Sequence, residues 1–424
     1  MQLAYPKTWG ALMGWMMGAF VFGIAIHSVF FRFRFSSRLL FAGPLFFLPA
    51  TLFFLRQPFT YHWKVVTLLF FVFLGGVWRF EITPRPNVQR IGTHYLIAPV
   101  SSPSTGVFSL LPKLRQSLTE RIESVLPRNE AALLTGILYG EKQLSKDQRA
   151  LFRSAGLTHI VAVSGSNVTI VIQCLSLFFM RFKLKRKHLF FLTSCALIAL
   201  VGFVGFSASV ARAAFMGWFM VLAREVGRPA SHSRLLLVAA TILLLINPWQ
   251  LGFDAGFALS FLAMWGLMAW TPIFERWFSW LPNIFEIRQI LAMTLAATLM
   301  TLPYMAWMFE RISFAGVFTN MLVLPLLPFI MGWGALVAVS GAIPGYQCIA
   351  TPVLGMLRVI EWVASLVEYV PWMEQETKGM NLSTVTIFYV LIGYFWLLLR
   401  EKIDLSTMKA ALIEKNKTFL DVVR

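Results

Sequence analysis

The stretch Leu189-Phe190-Phe191-Leu192-Thr193-Ser194-Cys195-Ala196-Leu197-Ile198-Ala199-Leu200-Val201-Gly202-Phe203-Val204-Gly205-Phe206 contains no Asp, Glu, Lys or Arg. It approaches the roughly 20 apolar residues that cross a bilayer as a helix. Arg181, Lys183, Lys185, Arg186 and Lys187 crowd the loop before it. That is the signature of a cytoplasmic loop under the positive-inside rule. A second apolar run follows, Val210 to Ala223, interrupted by a single cation, Arg212. Membrane span, basic loop and isolated intramembrane charge therefore stand side by side.

The rest of the chain repeats the pattern. Of 424 residues, 58% are hydrophobic and 13% charged, against about 25% charged in ordinary soluble domains. This excludes a soluble globular protein. The net charge of +18 has two sources to choose between: cytoplasmic loops that collect Lys and Arg, and residues lining a path for an anion. Cys174, Cys195 and Cys348 form neither a CxxC nor a Cys/His cluster, so no disulfide framework, metal or other cofactor is expected. The apolar stretch near Leu12 to Phe31 is too long for a signal-peptide core and reads as a retained helix.

Further candidate spans are Gly10 to Phe31, Leu39 to Leu55, Val65 to Phe80, Ile160 to Met180, Leu235 to Ile246, Ala255 to Trp270, Ile290 to Met308, Phe314 to Leu327, Ile330 to Ile343, Leu354 to Val370 and Val385 to Leu399. The expected fold is all-α, a polytopic transmembrane helix bundle of about 11–13 helices, some broken or re-entrant. Between Glu81 and Gln148 the pattern changes. Prolines and Ser101-Ser102-Pro103-Ser104-Thr105-Gly106 signal loop. Leu111, Leu114, Leu118, Ile122 and Val125 then recur at helical spacing between charges, predicting an amphipathic helix over Leu110 to Leu126 that lies along the membrane or packs on helix ends. Arg224, Arg228 and Arg234 mark another cytoplasmic loop, so the His159 end of the intervening bundle faces outward.

Ionisable and polar residues within spans are functional candidates because insertion of a charge costs about 2.5–3.5 kcal/mol. Ser209 and Arg212 lie one turn apart among small residues, which permit close helix approach. Arg212 must pair with a carboxylate, meet carbonyls or face water, and either a pore-lining or a structural role satisfies that. Thr158-His159-Ile160-Val161-Ala162-Val163-Ser164-Gly165-Ser166-Asn167 gathers His159, Ser164 and Asn167, with Gly165 permitting a kink. Plain helix-to-helix hydrogen bonding is the alternative there. Asp254, in Asn247-Pro248-Trp249-Gln250-Leu251-Gly252-Phe253-Asp254 ahead of Ser260, is either a partner for Arg212 or His159 or a helix N-cap. Glu310, Arg311 and Asn320 form the last group. The isolated histidines and the lack of HExxH, GxSxG or a phosphate loop give no catalytic motif.

In this order, the clusters resemble the membrane core of the ComEC competence-protein family. Leu134-Thr135-Gly136-Ile137-Leu138-Tyr139-Gly140 leads to Gly156-Leu157-Thr158-His159 and Val163-Ser164-Gly165. Ser209 to Met216, Asn247-Pro248 with Asp254, Gly256, Phe257 and Ser260, and Leu302-Pro303 with Ser313, Gly316, Asn320 and Pro325 continue it. The resemblance spans roughly Ala131 to Ile343. It implies a multi-pass channel of the cytoplasmic membrane that passes single-stranded DNA during natural transformation. An outer DNA receptor, a nuclease and a cytoplasmic DNA translocase are then its partners, besides membrane lipids. His159, Ser164, Gly165, Asn167, Ser209, Arg212, Asp254, Ser260 and Asn320 are the candidate path residues.

The chain departs from the family in having Asn167 where relatives often carry His. Glu81 to about Pro112 is too short for the oligonucleotide-binding-like barrel of larger relatives, and their metallo-β-lactamase-like domain is not expected here, so no enzymatic activity is expected. The expected segments are transmembrane helices over 1–80, a short extracytoplasmic stretch over 81–130, the channel core over 131–345, further transmembrane helices over 346–400 and a cytoplasmic tail over 401–424. A transporter for a small anionic or lipid-like substrate is the main alternative.

Overall fold

Backbone groups in lipid must find partners within their own segment, so apolar runs become helices. The computed structural model describes residues 9–32, 61–81, 83, 88–91, 94–97, 110–140, 144–161, 167–168, 170–172, 174, 181, 186–204, 208–225, 231–281, 286–340, 347–370, 373–377 and 379–399. Helices α1 (Trp9–Arg32) and α2 (Tyr61–Glu81) precede a two-stranded antiparallel ladder, β1 (Val88–Ile91) with β2 (His94–Ile97), in the register Val88 to Ile97. Then come α3 (Leu110–Glu123), α4 (Arg128–Tyr139), α5 (Lys146–Ser154), the short α6 (Thr158–Val161), α7 (Arg186–Val204), α8 (Ala208–Glu225), α9 (His232–Ile246), the short α10 (Gln250–Phe253), α11 (Ala255–Trp277) and α12 (Ile287–Phe309). Strand β3 (Arg311–Ser313), α13 (Ala315–Val323), α14 (Leu327–Ser340), α15 (Gln347–Ser365), β4 (Glu374–Glu376) and α16 (Leu382–Leu399) complete the order.

The helix bundle expected from sequence is the fold observed. Five helices are long and apolar enough to cross a membrane, and five shorter apolar helices accompany them among the described residues. The chain is a multi-pass membrane protein. The expected amphipathic helix is α3. The expected span Leu39 to Leu55, most of Ile160 to Met180 and the tail from 401 lie outside the described residues. The separate spans expected over Phe314 to Leu327 and Ile330 to Ile343 require correction. Pro325 and Pro328 replace the regular ladder with only a short 3-10 turn, Leu324–Leu326, so one apolar run of 26 residues extends from Ala315 to Ser340. Arg311 lies in a paired strand. It opens β3, which pairs antiparallel with β4, and its guanidinium reaches Glu374 and Glu376 at 3.4 and 3.5 Å.

The chain forms two compact units. The first comprises Met1–Ala150, Thr158–Phe261 and Leu327–Glu361; the second Leu151–Leu157, Leu262–Leu326 and Trp362–Arg424. In the first, α1 and α2 approach so closely that a Cβ on Gly23 would stand 2.1 Å from the Phe73 carbonyl oxygen, and one on Gly76 2.2 Å from that of Phe20. Small residues allow this contact because lipid supplies little apolar drive and packing must come from proximity. Ile24 and Phe80 from this pair meet Ala211 of α8, Leu243 and Leu244 of α9, and Trp249 in one core. Arg79 closes the C-terminus of α9, donating from Nε to the Leu245 carbonyl at 2.9 Å and from Nη2 to that of Ile246 at 3.1 Å. Those are the carbonyls a helix end leaves unpaired.

In the second unit, Trp270, Ile273 and Phe274 pack on Ala292, Ala296 and Met300. Gly266 lets α12 close on α11, since a Cβ there would meet the Ala296 oxygen at 2.5 Å. Residues 151–157 belong to this unit and are fastened to β3 and α13. Ser313 donates its hydroxyl to the Ser154 carbonyl at 2.6 Å and Thr319 to that of Ala155 at 2.8 Å. Gly156, at φ +69°, faces Gly316.

Candidate functional site

Arg212 sits on α8, whose Ala-rich first turns bring it against α11. Its residue is only 6% exposed. Nη1 donates to the Ser260 carbonyl, and the guanidinium lies over the Phe261 ring at 5.8 Å. Nε is buried without a hydrogen-bond partner. Among the described residues no carboxylate pairs with it. A cation held by one carbonyl and one ring keeps its full charge uncompensated, the condition that an approaching anion relieves.

Asp254 is therefore not the partner of Arg212. Its Oδ1 accepts from the backbone N–H groups of Gly256 at 2.8 Å and Phe257 at 3.2 Å, so it caps the N-terminus of α11. Burial pushes its carboxyl above the ordinary value, while the hydrogen bonds from Phe257 and Gly256 pull it down. Ser260 stands less than two turns further along the same helix, so the cap fixes the start of the element that offers the carbonyl to Arg212. Asp254→Ala is expected to lower stability by about 1 kcal/mol, measured by thermal unfolding in detergent. Asp254→Asn, which keeps the acceptor, should retain most of it. Equal losses in both would assign the effect to charge instead of capping.

Asn167 is 1% exposed, and its Nδ2 donates to the Ile137 carbonyl at 3.0 Å. Ile137 lies in the last turn of α4, which ends at Gly140 in the left-handed conformation. Asn167 thus ties its own segment to that helix end, a helix-to-helix hydrogen bond of the kind weighed from sequence. His159 is exposed on α6. Ser164 and Gly165 lie outside the described residues, as does the side chain of Ser209. Asn320 belongs to the second unit, on α13; it is buried, and its Oδ1 has no hydrogen-bond partner. Of the sequence candidates, the structure brings together Arg212 and Ser260, with Asp254 on the same helix as Ser260.

One residue escaped the sequence reading. Arg115 of α3 stands at the rings of Tyr139 and Phe203, 5.8 and 5.6 Å from their centroids. A charge at helical spacing on an amphipathic helix carries no sign that two rings distant in sequence enclose it. Arg121, on the same helix, only reaches the Val339 carbonyl at 3.4 Å.

The stretch that carries Asn167, Arg212, Asp254 and Asn320 coincides with a recognised sequence family. The model of that family, described as competence protein, matches residues 137–402. The chain belongs to the competence protein family. Within that family it is similar to ComE operon protein 3 of Bacillus subtilis (strain 168), with 24% identity over 310 residues. The aligned region covers 72% of this chain and 37% of that protein, so the chain spans little more than a third of its relative's length. No solved structure matches the chain.

Proposed function

We propose that this chain forms the membrane path by which single-stranded DNA crosses the cytoplasmic membrane in natural transformation. The observation that carries the proposal is Arg212, a buried intramembrane cation with no carboxylate partner among the described residues, inside the stretch matched by the competence family. A polyanion needs donors and a few cations along its route, and too many fixed charges would hold the strand in place. One ring-backed arginine suits passage better than a dense basic lining. The net charge of +18 favours a polyanion over a small neutral substrate.

In this reading the chain conducts DNA and performs no chemistry on it. A receptor delivers the duplex, a separate nuclease leaves one strand, and a cytoplasmic translocase pulls that strand through. Uptake of labelled DNA by cells lacking the gene, and by cells in which it is restored, tests the proposal. Label arrested outside the cytoplasmic membrane in the deletion, and entering on restoration, is the expected result. Unchanged entry into the cytoplasm would favour a transporter for a small anion.

A further inference from the structure

Two arginines of the first unit meet an answering group. Arg79 caps the Leu245 and Ile246 carbonyls, and Arg358 donates from Nε to Glu130 Oε1 at 3.2 Å. Arg115 meets rings instead. Its contacts are the faces of Tyr139 and Phe203, no acceptor among the described residues takes its guanidinium, and its Nε is buried without a partner.

The rings form a prepared corner. Their centroids are 5.4 Å apart with planes at 74°. Tyr139 is buried, and its hydroxyl is tied to Thr119 Oγ1 at 2.7 Å. Thr119 lies one turn beyond Arg115 on α3, so the helix that carries the arginine also fixes one wall of the corner. Ring faces attract the guanidinium π-system but accept none of its in-plane N–H groups. What remains is a permanently charged, ring-backed fork whose Nη groups meet no acceptor among the described residues. Such a fork matches a phosphodiester, which can take two parallel N–H bonds. Arg212 repeats the chemistry with one ring, Phe261, and another unpartnered Nε.

We infer that Arg115 is a phosphate-binding residue of the DNA path, its guanidinium held by Tyr139 and Phe203 and its free N–H groups directed to the backbone of the strand. The inference rests on the proposed channel function and adds a contact outside the intramembrane clusters. Because it reads phosphate, not bases, the site acts on any sequence.

The test uses the full chain in dodecyl maltoside, which has no phosphate, and the anisotropy of a fluorescein-labelled oligothymidylate titrated over a range of salt. Wild type should bind with an affinity that falls linearly in log–log form with salt. In Arg115→Gln the slope should be shallower by about 0.7, the value for one contact to a single strand. Affinity should fall about three- to tenfold and equally for a mixed-sequence oligonucleotide. Phe203→Leu keeps the charge and removes one holding face, so it should weaken binding with the slope unchanged. It also decides the matter if Arg115→Gln does not yield folded protein. Binding by wild type with the same slope and affinity in Arg115→Gln, or unchanged affinity in Phe203→Leu, overturns this inference and leaves the channel proposal standing. No binding by wild type removes both. If oligonucleotide binding is intact in Arg115→Gln but stabilisation by added phosphatidylglycerol is lost, the residue holds lipid phosphate and the inference fails.

Discussion

Gly156→Ala is expected to lower the thermal unfolding midpoint sharply and to deplete the protein from membranes, whereas Gly316→Ala should leave both near wild type. The two glycines face each other, yet the contact is asymmetric. A Cβ on Gly156 would stand 2.7 Å from the Gly316 Cα and 2.9 Å from its N, both backbone atoms that cannot step aside. Its φ of +69° adds the cost of a left-handed conformation for an L side chain, about 1–2 kcal/mol. Overpacking of a tight site adds about 1–3 kcal/mol. A Cβ on Gly316 meets Gly156 only at 3.5 Å, ordinary van der Waals contact. The penalty of about 3 kcal/mol thus falls on one partner. A wild-type midpoint for Gly156→Ala would mean that residues 151–157 are not pressed against α13.

The second large effect is a separation of stability from function. Arg212→Met should fold and unfold like wild type while DNA uptake drops by at least about tenfold, which is 1.4 kcal/mol in an equilibrium. An intramembrane arginine costs about 2.5–3.5 kcal/mol to insert, and its hydrogen bond to the Ser260 carbonyl returns about 1.5–3 kcal/mol. These terms nearly cancel, and methionine refills much of the volume beside Phe261. A residue kept for stability would not be so nearly neutral. Measured together, membrane abundance, unfolding midpoint and uptake decide the point. Uptake at the wild-type level removes Arg212 from the path, and a collapsed midpoint makes it a structural clamp.

What could be read in the sequence follows from where the information resides. The spans were legible because a helix in lipid is specified by its own composition, as with Arg186–Val204 and His232–Ile246. The cap by Asp254 was legible as an alternative, since Asp followed by Gly256 and Phe257 at the head of an apolar run is a local signal. The partner of Arg212 was not. It is a backbone carbonyl, which every residue possesses, so Ser260 was identified without any sign that its main chain is the group in contact. Sequence also split the run from Ala315 to Ser340 in two, because proline marks a missing N–H but not how small an adjustment absorbs it. Arg115 stayed hidden because the rings at its faces come from α4 and α7.

In the last described helix, Leu382–Leu399, only Val385 is buried. Side-chain hydrogen bonds hold it to the rest of the second unit: Tyr389 donates to the Met300 carbonyl at 2.8 Å, and Trp396 to that of Ala269 at 3.0 Å. Its 18 described residues make a rod of about 27 Å, comparable to an average hydrocarbon core of about 30 Å. Where bilayer thickness departs from the helix's apolar length, the bilayer deforms around it, at a fraction of a kcal/mol per Å of mismatch. That load is carried where the helix touches protein, so acyl-chain length becomes a force on Tyr389 and Trp396, and through them on the packing of α11 and α12.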